Sequence, residues 1–148
     1  MHLYTIIIMG IGKSTLQTVS FEDIQYASNM PDKYYIICTL PLHETHGLIS
    51  GTVPVIQEEQ IINSALAKNK TRHMHIIIYG KHAKDETTLT KYNQLKQLGF
   101  TNTYIYPGGL FEWLLLQDIY GDQSFPTTSK TADILVYKPP ETLKWESI

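Results

Sequence analysis

Six residues, Gly80-Lys81-His82-Ala83-Lys84-Asp85, bring two lysines, a histidine and an aspartate to one short loop. The loop joins the strand-like run His75–Tyr79 to a stretch with helical periodicity. In open parallel sheets, ligands bind in the crevice beyond the carboxyl ends of the strands. The free N–H groups of a helix N-terminus attract anions there, and Lys81, His82 and Lys84 add positive charge. Asp85 opposes this, because a capping carboxylate occupies the same N–H groups. The residues therefore favour a solvated strand-to-helix loop closed by Asp85 over a strong anion site, and a weak anion contact is what they leave room for.

Other candidate constellations are poorer. Gly10-Ile11-Gly12-Lys13-Ser14-Thr15 falls short of G-x-x-x-x-G-K-[ST], since the first glycine of that motif would fall on Ile7. It reads as a glycine turn after an edge strand. His43-Glu44-Thr45-His46 is H-x-x-H, whereas zinc proteases need two histidines four apart on one helix face. His73 and His75 would share a strand face, but no third ligand accompanies them. No metal and no cofactor is expected. The one cysteine, Cys38, sits inside the apolar run Tyr34–Thr39 and reads as a small core residue with a raised pKa. A strand interior offers it neither a helix N-terminus nor a cationic neighbour.

The elements that must position these residues alternate. Leu3–Ile8 is β-prone and Gly10 and Gly12 end it. Ser20 and Asp23 form a capping box for a helix, with Val19 placed to staple onto Ile24, and Met30-Pro31-Asp32 closes that helix. Tyr34–Thr39 is nearly continuous in apolar residues, as a strand buried on both faces is. A polar loop follows over Pro41–Ser50, then a short strand at Thr52–Ile56 and a helix at Glu58–Ala67 with Ile61, Ile62, Ala65 and Leu66 on one face. Asn69–His73 is a basic turn. After the 80–85 loop, Asp85 caps a helix reaching Leu98, with Leu89, Tyr92, Leu95 and Leu98 inward and Gly99 as its C-terminal glycine. Thr103–Tyr106 is the next strand, Pro107-Gly108-Gly109 a turn and Leu110–Tyr120 an apolar helix. Alternation of this kind predicts an α/β fold, a mainly parallel sheet with helices on both faces.

Residues 121–148 hold three of the seven prolines and little periodicity, and read as an extended tail after a domain at 1–120, with one strand at Ile134–Tyr137. Exposed Phe125, Tyr137 and Trp145 in that tail suit contact with another protein chain. Pro139-Pro140 stiffens the segment and removes two backbone donors.

At 148 residues the chain is one domain's worth, able to bury about two-thirds of its unfolded surface. Hydrophobic residues make up 43% and charged residues 18%, too apolar for disorder. The net charge of −2 and the lack of a polybasic run argue against a nucleic-acid partner. One thiol forms no internal disulfide, so a reducing compartment is expected. No apolar run approaches the roughly 20 residues of a membrane helix, and no basic start marks a signal peptide. A soluble, intracellular and cytoplasmic protein with no membrane partner is the expectation.

In order and spacing, residues 18–118 resemble a rhodanese-like domain. Ser20-Phe21-Glu22-Asp23-Ile24 is similar to the opening helix of that family. His46-Gly47-Leu48-Ile49-Ser50-Gly51-Thr52-Val53-Pro54 is similar to its G-H-I-P-G-A stretch. The best match is Leu95-x-x-Leu98-Gly99-Phe100-x-Asn102-x-Tyr104, followed by Gly108-Gly109 and Trp113. The resemblance implies the fold. It also implies that the strand-end nucleophile, a cysteine in the family, is replaced by Gly80, and that Cys38 stands where the family has an aspartate. A nearby arginine has become Leu40 or a residue close to it, and the basic residue at the far end of the loop has become Asp85 or moved to Lys84. Gly80–Asp85 is then a degenerate active-site loop with no catalytic residue. The tail, with Phe125-Pro126-Thr127-Thr128 and Tyr137-Lys138-Pro139, resembles rhodanese-like proteins encoded by large DNA viruses, which points to a virion or assembly component. The resemblance thus implies a binding or structural module acting through protein contacts. The alternative is a sulfurtransferase or phosphatase-type enzyme with its thiol relocated to Cys38.

Overall fold

The structure, a computed structural model, describes residues 16–143. Its elements are α1 (Phe21–Ser28), β1 (Tyr34–Cys38), a 3-10 turn (Leu42–Glu44), α2 (Val55–Ala67), β2 (His75–Tyr79), α3 (Thr87–Gln97), β3 (Asn102–Ile105), α4 (Gly109–Tyr120) and a second 3-10 turn (Ile134–Tyr137). The three strands form one parallel sheet in the order β1-β2-β3. Tyr34 lies opposite His75 and Cys38 opposite Tyr79, while Ile78 lies opposite Ile105.

The apolar strand runs reflect burial on both faces. Ile36, Cys38, Ile77 and Tyr79 pack with Ile24 of α1 and Leu110, Trp113 and Leu114 of α4. Their neighbours Ile37, Ile76, Ile78 and Ile105 face the other way, onto Ile62 of α2 and Tyr92 and Leu95 of α3. Successive strand side chains point to opposite faces, so helices are needed on both. The expected α/β architecture holds. The segment before α1 also pairs with the sheet: Ile105 donates to the Gln17 carbonyl at 2.9 Å and Val19 donates to the Ile105 carbonyl at 2.8 Å.

Local signals act much as the sequence suggests at several ends. The Ser20 amide donates to Asp23 Oδ2 at 2.9 Å, and α1 stops at Ser28, before Pro31. Gly99 takes a φ of +100° just past α3, a conformation that penalises any side chain. Leu3–Ile8 and Gly10–Thr15 lie outside the described residues.

Four expectations need correction. Thr52–Ile56 is not a strand. Thr52 makes a single parallel bridge to Ile36, and α2 begins at Val55 directly after Pro54, whose φ of −57° already suits a helix start. The inward face of α3 is narrower than its leucines suggest: Tyr92 and Leu95 are buried, but Leu89 and Leu98 are 45% and 47% exposed. Ile134–Tyr137 is a 3-10 turn, opened by Asp133, whose Oδ1 accepts the Leu135 amide at 3.1 Å. Finally, Phe125 and Tyr137 are not exposed. Phe125 packs on Phe21 and Trp113 with ring centroids 5.5 and 5.0 Å apart, and Tyr137 joins the same core.

Residues 121–143 thus run back over the body. Ser50 donates to the Pro126 carbonyl at 3.0 Å and Thr128 to the Leu48 carbonyl at 2.7 Å. Trp113 Nε1 donates to the Pro126 carbonyl at 3.1 Å. Apolar side chains that find a core nearby bury themselves there, because each removes water-exposed apolar surface. Trp145 lies outside the described residues.

Candidate functional site

The 80–85 loop leaves the carboxyl end of β2 and meets two other elements at once. The Gly80 carbonyl accepts the Leu110 amide at 2.9 Å, and the Lys81 carbonyl accepts the Phe111 amide at 2.8 Å. Two first-turn N–H groups of α4, of the kind that would hold an anion, are therefore taken by the loop's own carbonyls. This approach needs Gly109, whose φ is +67° and whose absent Cβ would lie 2.8 Å from the Gly80 oxygen.

Inside the loop, Asp85 fills the space in front of Gly80. Its Oδ2 accepts the Lys81 amide at 2.9 Å, and its Oδ1 accepts Thr87 N at 3.0 Å and Thr87 Oγ1 at 2.6 Å. A Cβ built on Gly80 would lie 2.4 Å from Asp85 Oδ2 and 2.9 Å from Thr88 Cγ2. Both are far inside van der Waals contact, so position 80 has no room for a side chain while Asp85 keeps its place. Burial alone would raise the Asp85 pKa, but the hydrogen bonds from Lys81 and Thr87, with the charge of His82, hold it below the usual carboxylate value.

Asp85 is not itself the N-cap of α3: Glu86 takes that position and the helix starts at Thr87, whose amide Asp85 reaches from one residue further back.

The cations of the loop are already engaged. Lys81 Nζ lies 3.0 Å from Glu44 Oε1, in the 3-10 turn. Lys84 Nζ donates to the Pro140 carbonyl at 3.2 Å and to Thr142 Oγ1. His82 Nδ1 accepts the Lys84 amide at 3.1 Å. Ala83 lines the adjoining cavity of about 440 Å³, as do Tyr106 and Pro107. A further carboxylate stands close by: Tyr106 donates its hydroxyl to Glu112 Oε2 at 2.5 Å. Burial and then Glu112 raise the Tyr106 pKa, so the phenol stays protonated. A Cβ on Gly108 would lie 2.3 Å from Glu112 Oε2, so a side chain there would displace that carboxylate from its present place.

Glu44, Glu112 and the 140–142 strap escaped the sequence argument. Glu112 could have been suspected from its place one turn after Gly108. Nothing local marks Glu44 as the partner of Lys81 or the tail as the partner of Lys84.

Cys38 is buried, and burial followed by the charge of Glu58 raises its pKa. One correction applies. It is the last residue of β1, and it opens on a cavity of about 300 Å³ that also receives Lys91 and the start of α2. Lys91 lines the same cavity, where Glu58 pairs with it. The histidines do not converge: among the described residues no group of three or more His, Cys, Asp or Glu side chains could hold a metal. His75 instead packs on Tyr34, whose ring is tilted 47° to it at a centroid distance of 5.2 Å, and lies parallel to Tyr104 at 6.3 Å.

No described helix is long and apolar enough to cross a membrane. Among curated proteins, none matches the chain. Solved structures do. The Alr3790 protein from Anabaena sp. is similar over 74% of this chain and 89% of its own, at 23% identity and a TM-score of 0.52. A Lactobacillus plantarum protein is similar over 79% and 96%, at 16% identity and a TM-score of 0.54. The single domain sulfurtransferase RDL2 from Saccharomyces cerevisiae is similar over 76% and 97%, at 20% identity and a TM-score of 0.53. At these identities the likeness is one of fold. The profile of the Rhodanese-like domain matches residues 25–116, and the chain belongs to the rhodanese-like domain family.

Proposed function

We propose that this chain is a non-catalytic rhodanese-like module that works inside the cell through protein–protein contacts, as a component of a virion or another assembly. The observation that carries the proposal is the filling of position 80. Nucleophilic catalysis in this loop needs a thiolate facing the anion-binding N–H groups. Gly80 has no side chain, and Asp85 occupies the space one would take. The lysines that would steady an anion are held by Glu44 and by the strap. Any anion contact of the 80–85 loop is weak on this account. A partner contact through the tail would fall to Leu135, Val136 and Leu143, which are 60%, 64% and 88% exposed, rather than to the buried Phe125 and Tyr137.

The second reading, an enzyme of the sulfurtransferase or phosphatase type using Cys38, has one feature in its favour: the cavity that the thiol shares with Lys91. The raised pKa and the pairing of Lys91 with Glu58 argue against it, since the thiol rather than the thiolate is favoured. Steady-state assays of sulfur transfer from thiosulfate to cyanide, and of phosphate-ester hydrolysis, should find no turnover. Turnover that disappears in Cys38→Ser would replace the first reading by the second.

A further inference from the structure

Between Glu59 and Asp85 the chain carries no carboxylate. Lys68, Lys70 and Arg72 of this stretch stand where α2 ends and the chain turns into β2, at the amino end of the sheet, opposite the 80–85 loop. Lys33 stands at the same end, just before β1, with its ammonium 5.5 Å from the centroid of the Tyr34 ring. All four are exposed, and none forms an ion pair among the described residues. Asp32 is the acidic residue beside them in the chain. Lys96, at the end of α3, is occupied by the Thr101 carbonyl and the Tyr92 ring.

A basic residue after a helix C-terminus has an ordinary explanation, since it complements the helix dipole. That covers Lys68 and Lys70. It does not cover Lys33 or Arg72, nor the cavity of about 350 Å³ on whose lining Lys68 and Lys70 both lie. Tyr35, Ile61 and Met74 give this cavity an apolar wall, and Ser64 offers a hydroxyl.

We propose that this end of the sheet binds an acidic peptide segment of a partner protein, one that carries an apolar side chain among its carboxylates. The apolar side chain enters the cavity against Tyr35, Ile61 and Met74. The flanking carboxylates meet Lys68, Lys70 and Arg72. Charge complementarity selects the partner: four exposed cations without carboxylate partners attract an acidic segment, and the apolar wall adds a requirement that charge alone does not impose. A nucleic acid fits less well, because so short a cluster on a chain of net charge −2 gives no continuous track for a phosphate backbone. The inference rests on the protein-binding reading above and specifies a surface and partner class for it.

The test uses the intact protein and a fluorescein-labelled peptide of glutamates around a single leucine, followed by fluorescence anisotropy at low salt. Saturable binding is expected, about tenfold weaker in Lys68→Glu/Lys70→Glu, weakened by salt, and weakened again when the peptide leucine becomes serine. Lys130→Glu, elsewhere on the surface, should leave it unchanged. Lys68→Gln/Lys70→Gln serves as the milder pair should charge reversal disturb folding by circular dichroism, and it too should weaken binding. The proposal is overturned by absence of binding, by indifference to both lysine pairs or to the leucine, or by equal binding of an oligothymidylate. Sulfur transfer assayed on the same preparations separates the two ideas: turnover would remove the non-catalytic reading, whereas loss of peptide binding alone removes this one.

Discussion

Gly80→Ala adds one methyl group, and the structure says where it would go. It would lie 2.4 Å from Asp85 Oδ2, 2.9 Å from Asp85 Cγ and 2.9 Å from Thr88 Cγ2. Asp85 is not a freely swinging side chain, because Lys81 N, Thr87 N and Thr87 Oγ1 all hold it. Thr88 is buried. Relief must come from breaking those bonds or shifting the loop, and overpacking of this kind costs about 1–3 kcal/mol. At this chain length that corresponds to a fall in Tm of roughly 2–12 °C. Asp85→Ala alone should cost about 0.5–2 kcal/mol, as a lost cap does. In that background Gly80→Ala should cost at least about 1 kcal/mol less than in the parent, since the groups touch directly. The assay is urea unfolding of the parent, both single variants and the double variant, with midpoints and slopes compared. A neutral Gly80→Ala, or an equal cost in both backgrounds, would refute the claim that Asp85 fills the site. The same geometry says that Gly80→Cys alone restores no sulfur transfer.

The other expectations follow from burial and charge. Because the folded Asp85 pKa is depressed, its stabilising effect is present above the ordinary carboxylate pKa of about 4 and lost as pH falls through the folded value. Unfolding midpoints of Asp85→Asn should therefore depend less on pH than the parent's in this acid range. His75 also titrates low in the fold, through burial and then Lys33, so it contributes stability above about pH 6.5 that fades on acidification; His75→Phe should flatten that part of the profile. Cys38 should resist an aromatic disulfide reagent in native protein and react once the chain is unfolded in urea. Phe125→Ala should cost about 3–5 kcal/mol, because its ring is 4% exposed against Phe21 and Trp113; a near-neutral result would return the tail to the role of a loose arm.

The sequence carried the parts of this fold whose causes are local. His75–Tyr79, with three consecutive isoleucines, is the most strand-like segment of the chain and forms β2 with those bounds. Ser20 and Asp23 cap α1, and Gly99 ends α3. Where the cause was distant, local pattern misled. Val55 and Ile56 are β-branched and read as strand, yet they form the first turn of α2 directly after Pro54, with Ile56 left 85% exposed. Leu135 and Val136 look like strand residues but lie exposed in a turn capped by Asp133. Phe125 and Tyr137 looked free because nothing in their neighbourhood announces that Phe125 packs on Phe21 and Trp113 or that the turn holding Tyr137 lies on α4. The site divides in the same way. Gly80 and Asp85 were legible, since both lie on one loop. Glu44 over Lys81, and Pro140 and Thr142 over Lys84, are contacts across 37, 56 and 58 positions that no spacing rule encodes.

No covalent sulfur intermediate should form on this chain. Intact-protein mass spectrometry after incubation with thiosulfate tests it directly. A reactive thiolate would attack the outer sulfur, release sulfite and leave a persulfide, adding the mass of one sulfur atom. The mass should stay unchanged, because Cys38, the single cysteine, is buried and its thiol form favoured. A sulfur adduct that forms on the native protein, is discharged by cyanide and is absent in Cys38→Ser would contradict it.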